Sequence, residues 1–512
     1  MQIVKDRAVL LKLRDPERVT EVIPKSKQMA ANEVLVKWGL DEAQVLKNLG
    51  IVIPSPILAT YDWPGRHRPF HHQKETSAFM TLNKRCFCFN EQGTGKTASA
   101  IWASDYLMNI GKIKRVLIVC PLSIMDSAWR ADLFKFAMHR TVDIAYNKKA
   151  DKRREILKGD AEYTIINYDG IAIVKEELGA ANYDLIIIDE GTHYKNPTTD
   201  RWKALYSFIK PNTWLWLMTG TPAAQSPVDA YGLAKLINPI AVPKFAGSFR
   251  DMVMYKVTRF KWVPKPNATD TVHRVLQPAI CFAKDECLDL PDMVYVTRDV
   301  EMTAQQKRYY KKLRETMVLE AAGQQVTAVN AAVNMSKLLQ VSCGAVYTDK
   351  GDTLEFDIKH RYKVLKEVID ESSKKVLIFA PFKNVIDILT NKLRGDGITA
   401  EVIRGDVTAG KRTEIFDKFQ TQDDPQVLVI QPKSAAHGVT LTAASTVVWW
   451  GPTSSLETYL QANARVHRAG QDHKCTVIQL QSSAVEKHVY TMLDKKIDVH
   501  SRILDLYKEL LD

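Results

Sequence analysis

Apolar positions along this chain gather into short, nearly continuous runs separated by longer amphipathic stretches. From about residue 66 to 240 the runs are "RCFCFN", "VLIVCP", "YTIINY", "DLIIIDE" and "TWLWLMTGTP". Continuous rather than alternating apolar runs of this length predict parallel strands buried on both faces, with helices between them. The same grammar returns after about 360 in "KVLIFAPF", "TAEVIRGD", "QVLVIQPKSA", "STVVWWGP" and "CTVIQL". Two α/β doubly wound lobes follow. Residues 1–62 read as a small α+β unit. "AVLLKL" and "EVLVKW" are strands around a polar turn, and "DEAQVLKNLG" is a short helix with Asp41 as N-cap and Gly50 just past its end. A connector punctuated by proline and glycine, "IPSPILATYDWPG", comes next. The predicted organisation is therefore an accessory unit over 1–62, a first lobe over 63–242, a mostly helical region over 243–357 and a second lobe over 358–512.

Composition narrows this only slightly. At 512 residues the chain is too long for one ordinary core. Its 46% apolar and 25% charged residues are those of a globular protein in water. The formal charge of +12 suits a polyanionic partner, although solubility alone would also explain it. "MQIVKDRAVLLKLRDPER" carries charges where a signal peptide needs its apolar stretch, and no run reaches the ~18 apolar residues of a membrane span. Seven cysteines without a CxxC pair indicate neither a disulfide framework nor a zinc site. Cys86, Cys88 and Cys120 fall in expected strands, as core filler. The expected compartment is a reducing one, most simply a cytoplasm.

The first candidate chemistry follows the strand "RCFCF". In "NEQGTGKT", Gly93 and Gly95 permit a tight turn whose N–H groups, Thr94 included, converge on phosphate oxygens. A helix predicted from about Lys96 adds its free amides and positive end. Lys96 would reach the β and γ phosphates and Thr97 would ligate Mg²⁺. The strict pattern GxxxxGK[ST] is not met, because Asn90 stands where it has its first glycine. A second run, "DLIIIDE", ends on Asp189 and Glu190. Ligands of open parallel sheets bind beyond the carboxyl ends of the strands. There Asp189 can hold Mg²⁺ and Glu190 can deprotonate an attacking water.

The third candidate is "QANARVHRAGQ". Read as a helix with a Ser454–Glu457 capping box and Gly470 at its C′ end, it aligns Gln461, Arg465 and Arg468 on one face. Such a stripe is either a solvated basic surface or a set of donors for a phosphoryl group in flight. An arginine finger is worth ~10³–10⁵ in rate, or roughly 4–7 kcal/mol. If the second lobe carries it and the first holds the phosphate loop, turnover requires closure.

Taken in order, the phosphate loop, the Asp-Glu strand end, "MTGTP" and "QANARVHRAGQ" resemble the Swi/Snf-like branch of superfamily 2 helicases. The likeness covers roughly residues 66–500. "NEQGTGKT", "SAAHGVTL" and "SLETYLQANARVHRAGQ" are most similar to compact phage-encoded members, which would put the protein in a host cytoplasm. The resemblance implies two RecA-like lobes, hydrolysis of ATP with Mg²⁺, and movement along duplex DNA by a monomer, with no protein partner specified. By motif, Gln73 of "RPFHHQ" resembles the adenine-reading glutamine, and Thr219, Gly220 and Thr221 the motif that couples the cleft to nucleic acid. Arg465 and Arg468 match the late arginines, with Arg468 the first choice of finger. "CPLSIMDSAW", "INYD" and "PKSAAHGVT" resemble DNA-facing motifs, which implies contacts from Ser123, Asn167, Tyr168, Lys433 and Ser434. Two departures stand out. The family's DEAH is "DEGT" here, with Thr192 in place of the histidine and His193 one position late. Ala435, Ala436 and Thr440 replace a paired glycine and an asparagine.

Residues 244–274 carry seven Lys/Arg against two acids, interleaved with Phe245, Phe249, Tyr255, Phe260 and Trp262. This is either a nucleic-acid surface or a substructure whose aromatics pack on the first lobe. A strand-separating helicase and a DNA-binding scaffold with a silent ATP site remain alternatives to a duplex translocase.

Overall fold

The computed structural model describes residues 1–496 apart from 66, 148, 221, 223–225, 259–261, 288–289, 292, 324–327, 348–351, 436–438 and 469. The chain divides into two compact units, Met1–Ala223 with Pro227–Cys287, and Ala224–Ser226 with Leu288–Asp512.

The first unit opens with an antiparallel sheet of β1 (Gln2–Val4), β2 (Ala8–Lys12), β3 (Lys27–Ala30) and β4 (Glu33–Lys37), in the order β1-β2-β4-β3. Val9, Leu11, Val34 and Val36 form one buried face, closed by Trp38 and the helix Leu40–Asn48. The N-cap of that helix is Gly39, with Asp41 displaced into the first turn, where its carboxylate instead meets Lys112 Nζ at 2.6 Å. Gly50 has the expected left-handed φ of 81°.

The main sheet of the unit comprises β5 (Arg85–Cys88), β6 (Val116–Cys120), β7 (Val142–Ile144), β8 (Tyr163–Asn167), β9 (Leu185–Ile188) and β10 (Trp214–Met218). A hairpin of β11 (Met254–Lys256) and β12 (Trp262–Pro264) follows, and β13 (Ala279–Ile280) completes the sheet, whose order is β13-β5-β10-β9-β6-β8-β7. Every pairing in it is parallel. The continuous apolar runs have the predicted cause. In β6, Val116, Ile118 and Cys120 enter one core while Leu117 and Val119 enter the other; in β10, Trp214, Trp216 and Met218 oppose Leu215 and Leu217.

The second unit carries β14 (Met293–Asp299), a hairpin of β15 (Ala345–Tyr347) and β16 (Thr353–Glu355), then β17 (Lys375–Phe379), β18 (Ala400–Ile403), β19 (Val427–Ile430), β20 (Ala444–Trp449) and β21 (Cys475–Gln481). Its sheet is all parallel in the order β14-β21-β20-β17-β19-β18. Here too Leu377 and Phe379 face one core, Val376 and Ile378 the other.

The region expected to be helical over 243–357 does contain helices, but it also supplies an edge strand to each large sheet. β13 is only two residues long, and β14 reads "MVYVTRD" with much of its length exposed. Neither makes the doubly buried apolar run that marks an interior strand, so both escape a search for such runs.

One buried network fixes the helix that leaves the phosphate loop. Asp105, fully buried in the helix Lys96–Asn109, accepts from Tyr61 Oη at 2.6 Å, Arg140 Nε at 2.6 Å, His139 Nε2 at 2.9 Å and Asn109 Nδ2 at 3.3 Å. Burial first, then the Asp105 carboxylate, pushes the Tyr61 phenol far up, so it remains a donor. Removing one member of a buried charged network strands the others. Asp105→Ala is expected to cost the first unit about 3 kcal/mol, read as a lowered urea midpoint of the transition followed by tryptophan fluorescence.

Candidate functional site

Sheet order decides what can meet. β5, β10, β9, β6 and β8 are consecutive neighbours and parallel, so the segments leaving their carboxyl ends emerge side by side. These are the phosphate loop, the Thr219–Gly220 turn, the Asp189–Glu190 pair, the segment 121–130 and the Asn167–Tyr168 corner.

The loop after β5 turns through Gly93 (φ 89°) and Gly95 (φ 82°), and the helix starts at Lys96 as expected, with no side-chain cap on Gly95. Its first-turn amides, with the half-buried Thr97 among them, form the end of a helix suited to an anion. Lys96 Nζ donates to the carbonyls of Asn90 (2.8 Å) and Glu91 (3.2 Å). Thr94 is buried; its hydroxyl donates to Glu91 O, and its carbonyl pairs with His72 Nε2 at 2.8 Å and accepts from Gln73 Nε2 at 3.1 Å. Gln73 Oε1 accepts from Phe70 N, so both ends of this amide are engaged and it braces the loop. A Cβ on Gly95 would lie 2.1 Å from Gln73 Nε2, which together with the positive φ leaves room only for glycine.

Asp189 is 8% exposed at the end of β9. Its Oδ2 accepts from Trp129 Nε1 at 2.9 Å and its Oδ1 from Glu190 N at 3.0 Å. Glu190 adopts φ 49°, ψ 55°, a left-handed conformation rare outside glycine. Tyr168 Oη donates to the carbonyls of Asp189 (2.5 Å) and Glu190 (3.4 Å). Burial, then the Asp189 and Glu190 carboxylates, push this phenol well up, which keeps it a donor. Strain held by surrounding bonds marks a position whose geometry matters.

The resemblance implies DNA contacts from Asn167 and Tyr168. Both are buried, Asn167 Oδ1 lying 3.5 Å from Arg153 Nη1, and Tyr168 is spent on the Asp-Glu backbone under the His193 ring at 4.7 Å. Trp129, from the other candidate DNA-facing stretch, is fully buried and serves Asp189 instead. The backbone of Ser123 belongs to a 3-10 turn, Leu122–Ile124, but its side chain lies outside the described residues. Thr219 is fully buried, with its amide on Cys88 O, and a Cβ on Gly220 would meet Gln92 Cγ at 3.3 Å, so this turn abuts the phosphate loop. Thr221 lies outside the described residues.

The second unit revises the arginine helix. It spans Leu456–Asn463 with Ser455, not Ser454, as cap. Gln461, Arg465 and Arg468 thus do not share one helical face, and Gly470, though at φ 92°, is not the helix terminus. Tertiary bonds end the helix early: Asn463 Oδ1 accepts from Trp449 Nε1 at 2.9 Å, Arg465 O accepts from Leu441 N at 2.9 Å, and His467 Nε2 lies 2.8 Å from Pro291 O. Gln461 is buried beside Glu457 Oε1 (3.2 Å), and Arg465 is 8% exposed, so a solvated basic face is excluded for both. Arg468, half-buried, donates from Nη1 to Val439 O at 3.3 Å. Lys433 is exposed and Ser434 half-buried on the short helix Pro432–Ala435.

The basic-aromatic stretch divides. Phe249 is core and Trp262 half-buried beneath Arg250, whose Cζ is 4.3 Å from the ring centroid. Phe245 and Tyr255 are exposed, approached by Lys244 Nζ at 5.6 Å and Lys265 Nζ at 5.2 Å. Phe260 lies outside the described residues.

The family described as SNF2-related domain matches residues 72–346, and that described as helicase conserved C-terminal domain matches residues 360–470. The chain is similar to Chromodomain-helicase-DNA-binding protein 1-like of Danio rerio, at 25% identity over 459 residues, covering 84% of this chain and 43% of that protein. It is also similar to an uncharacterized ATP-dependent helicase of Mycoplasma pneumoniae, at 26% identity over 431 residues, covering 81% of this chain and 40% of the relative. The chain thus spans less than half the length of these curated relatives. Among solved structures, the Sulfolobus solfataricus SWI2/SNF2 ATPase core in complex with dsDNA aligns at 21% identity with a TM-score of 0.43, covering 88% of this chain and 97% of that one. Among the described residues no helix is long and apolar enough to cross a membrane.

Gly95→Ala should displace Gln73 and strain the loop. The expected result is a loss of nucleoside triphosphate affinity of about 5- to 30-fold, from a steric and conformational cost of roughly 1–2 kcal/mol, measured by titration with a fluorescent ATP analogue.

Proposed function

This chain belongs to the SNF2-related domain family, and on that premise we propose that it is an ATP-driven motor that tracks along duplex DNA. The observation that carries the reading is the adjacency, in one parallel sheet, of a glycine-turned anion loop and a strand ending in Asp189 and Glu190. The family's C-terminal helicase domain in the second unit supports a two-part motor rather than a simple hydrolase. The names of the relatives, which include DNA-binding and ATP-dependent helicase, support the same substrate and partner.

In this reading the amides of Gly93 to Thr97 and the Lys96 ammonium hold the phosphates. Gln73 is the candidate for the adenine edge, for which its bond to Thr94 O would have to be exchanged. The Thr97 hydroxyl and the Asp189 carboxylate, at the carboxyl edge of one parallel sheet, are hard oxygen donors of the kind that suit Mg²⁺. Bound there, the metal would offset phosphate charge. Glu190, next to Asp189 on a left-handed backbone, takes the proton of the attacking water. Thr219, Gly220 and Thr221 relay the loop's state toward DNA. Arg465 and Arg468 supply guanidinium from the second unit to the triphosphate, with Arg468 the finger and Gln461 beside it as a nucleotide contact. Ser123, Lys433 and Ser434 are the DNA contacts of the motor, the exposed Lys433 the simplest of them to reach a phosphate. The exposed Phe245 and Tyr255 rings with their lysines suit a further nucleic-acid contact. The likeness to compact phage-encoded members rests on the three stretches quoted above, and a monomer working in a cytoplasm is the simplest state.

The deciding measurement is the ATPase rate with and without duplex DNA; an unstimulated rate would remove the translocase reading. Glu190→Gln is expected to keep ATP affinity and lose most DNA-stimulated turnover. Arg468→Ala should lower turnover about a thousandfold while ATP affinity changes by less than about threefold, since the interaction strengthens only as charge develops.

A further inference from the structure

Asn90, the residue that departs from the strict phosphate-loop pattern, is bonded through both ends of its side-chain amide. It is 1% exposed. Its Nδ2 donates to Thr76 Oγ1 at 2.8 Å, in the helix His71–Leu82 that also carries Gln73. Its Oδ1 accepts from Phe282 N at 3.1 Å, and its carbonyl accepts from Lys96 Nζ. Thr76 commits its own hydroxyl proton to His72 O at 2.7 Å, so the Thr76 oxygen is free to accept from Asn90.

Phe282 belongs to a strap that continues the β13–β5 pairing past the end of the strand. Phe87, Phe89 and Glu91 donate their amides to Pro278, Ile280 and Phe282 carbonyls at 3.0, 2.8 and 3.0 Å, and Lys284 N donates to Glu91 Oε2 at 3.0 Å. The strap is the last stretch of the first unit before the chain passes into the second. The two carbonyls that hold Lys96 are thus those of Asn90 and Glu91, the two residues whose side chains bind the strap.

We propose that Asn90 is a positioning residue for the phosphate loop: through Thr76 and Phe282 it fixes the backbone that presents Lys96, and it makes the strap 280–284 part of the nucleotide site. This rests on the reading of the loop as an ATP site. A glycine at this position keeps the backbone but removes both side-chain bonds and leaves the Phe282 amide without its acceptor. Completing the strict pattern therefore weakens the site. An aspartate keeps the acceptor for Phe282 and replaces the donor to Thr76 by a second acceptor, to which the Thr76 hydroxyl can turn its proton from His72 O.

The test uses the full chain and two variants, Asn90→Gly and Asn90→Asp, with two readouts: the dissociation constant of a fluorescent ATP analogue, and amide hydrogen exchange at Phe282 without nucleotide. Asn90→Gly should weaken nucleotide binding about tenfold and speed Phe282 exchange by a similar factor. Asn90→Asp should keep Phe282 exchange near the parent rate and bind within about threefold of it. Parental binding and exchange in Asn90→Gly would overturn the proposal, as would equal losses in the two variants. Absence of nucleotide binding by the parent chain would instead overturn the ATP-site reading and this proposal with it. If the glycine variant does not fold, the aspartate variant still decides, since accelerated Phe282 exchange there contradicts the assigned bond.

Discussion

Everything in the candidate site depends on one constraint, the order β5-β10-β9-β6-β8 in a sheet whose strands all run the same way. The five segments at its carboxyl edge are far apart in sequence, from Asn90 to Gly220. Parallel pairing alone puts their starting points within neighbouring strand spacings of about 4.8 Å. What each segment does locally follows from having two such neighbours. Thr219 hangs its amide on Cys88 O of β5, Asp189 hangs its amide on Val119 O of β6, and Tyr168 reaches from β8 to the carbonyls beyond β9. The edge is a continuous hydrogen-bonded surface rather than five loops with independent motions.

That constraint also separates what the chain made legible from what it did not. The ten runs, nine of them interior strands and one the edge strand β18, the start of the loop helix at Lys96 and the strand-end acids are local signals: an apolar run, a glycine pair, a carboxylate after four buried positions. All are found where the pattern predicts them. Trp129, Thr76 and Phe282 carry no such signal, because a tryptophan in a short irregular helix or a threonine inside a helix has meaning only through a partner contributed by another strand. Tyr168 shows the same limit in reverse. The resemblance implies a DNA contact for Tyr168, and only the sheet order shows that its hydroxyl bonds the Asp189 carbonyl. The arginine segment failed for a related reason: periodicity continued past Asn463, but Trp449, Leu441 and Pro291 compete for the groups that a longer helix would have used.

Hydrogen-bond accounting at the loop gives nucleotide binding a definite form. Lys96 already holds two carbonyls, and the Thr94 carbonyl already has His72 and Gln73. A phosphate at this loop would meet the first-turn amides of the helix and, at Lys96, would take the place of carbonyl partners. The ammonium–carbonyl bonds of Lys96 already have one ionised partner, and a phosphate in place of the carbonyls would add ion-pair attraction to them. The exchange also releases the Asn90 and Glu91 carbonyls at the point where their side chains hold the strap. A charge-driven exchange at one atom thereby changes the load on a backbone segment that leads out of the unit.

The arginines obey a different logic. A guanidinium on a regular helix is placed by the helix axis and free to change rotamer, whereas Arg465 follows a helix end pinned by Asn463, and its own carbonyl is tied to Leu441. Arg468 then starts from a backbone fixed on either side, by His467 against Pro291 and by Gln471 against Ala444 at 2.9 Å. Holding the backbone this way removes conformational freedom before a phosphate is met, which is where an electrostatic donor gains its effect: preorganised charge costs no reorganisation when the transition state forms. In the proposed reading of Arg468 as the finger, a helix end pinned by Asn463 and the Arg465 carbonyl would serve that preorganisation.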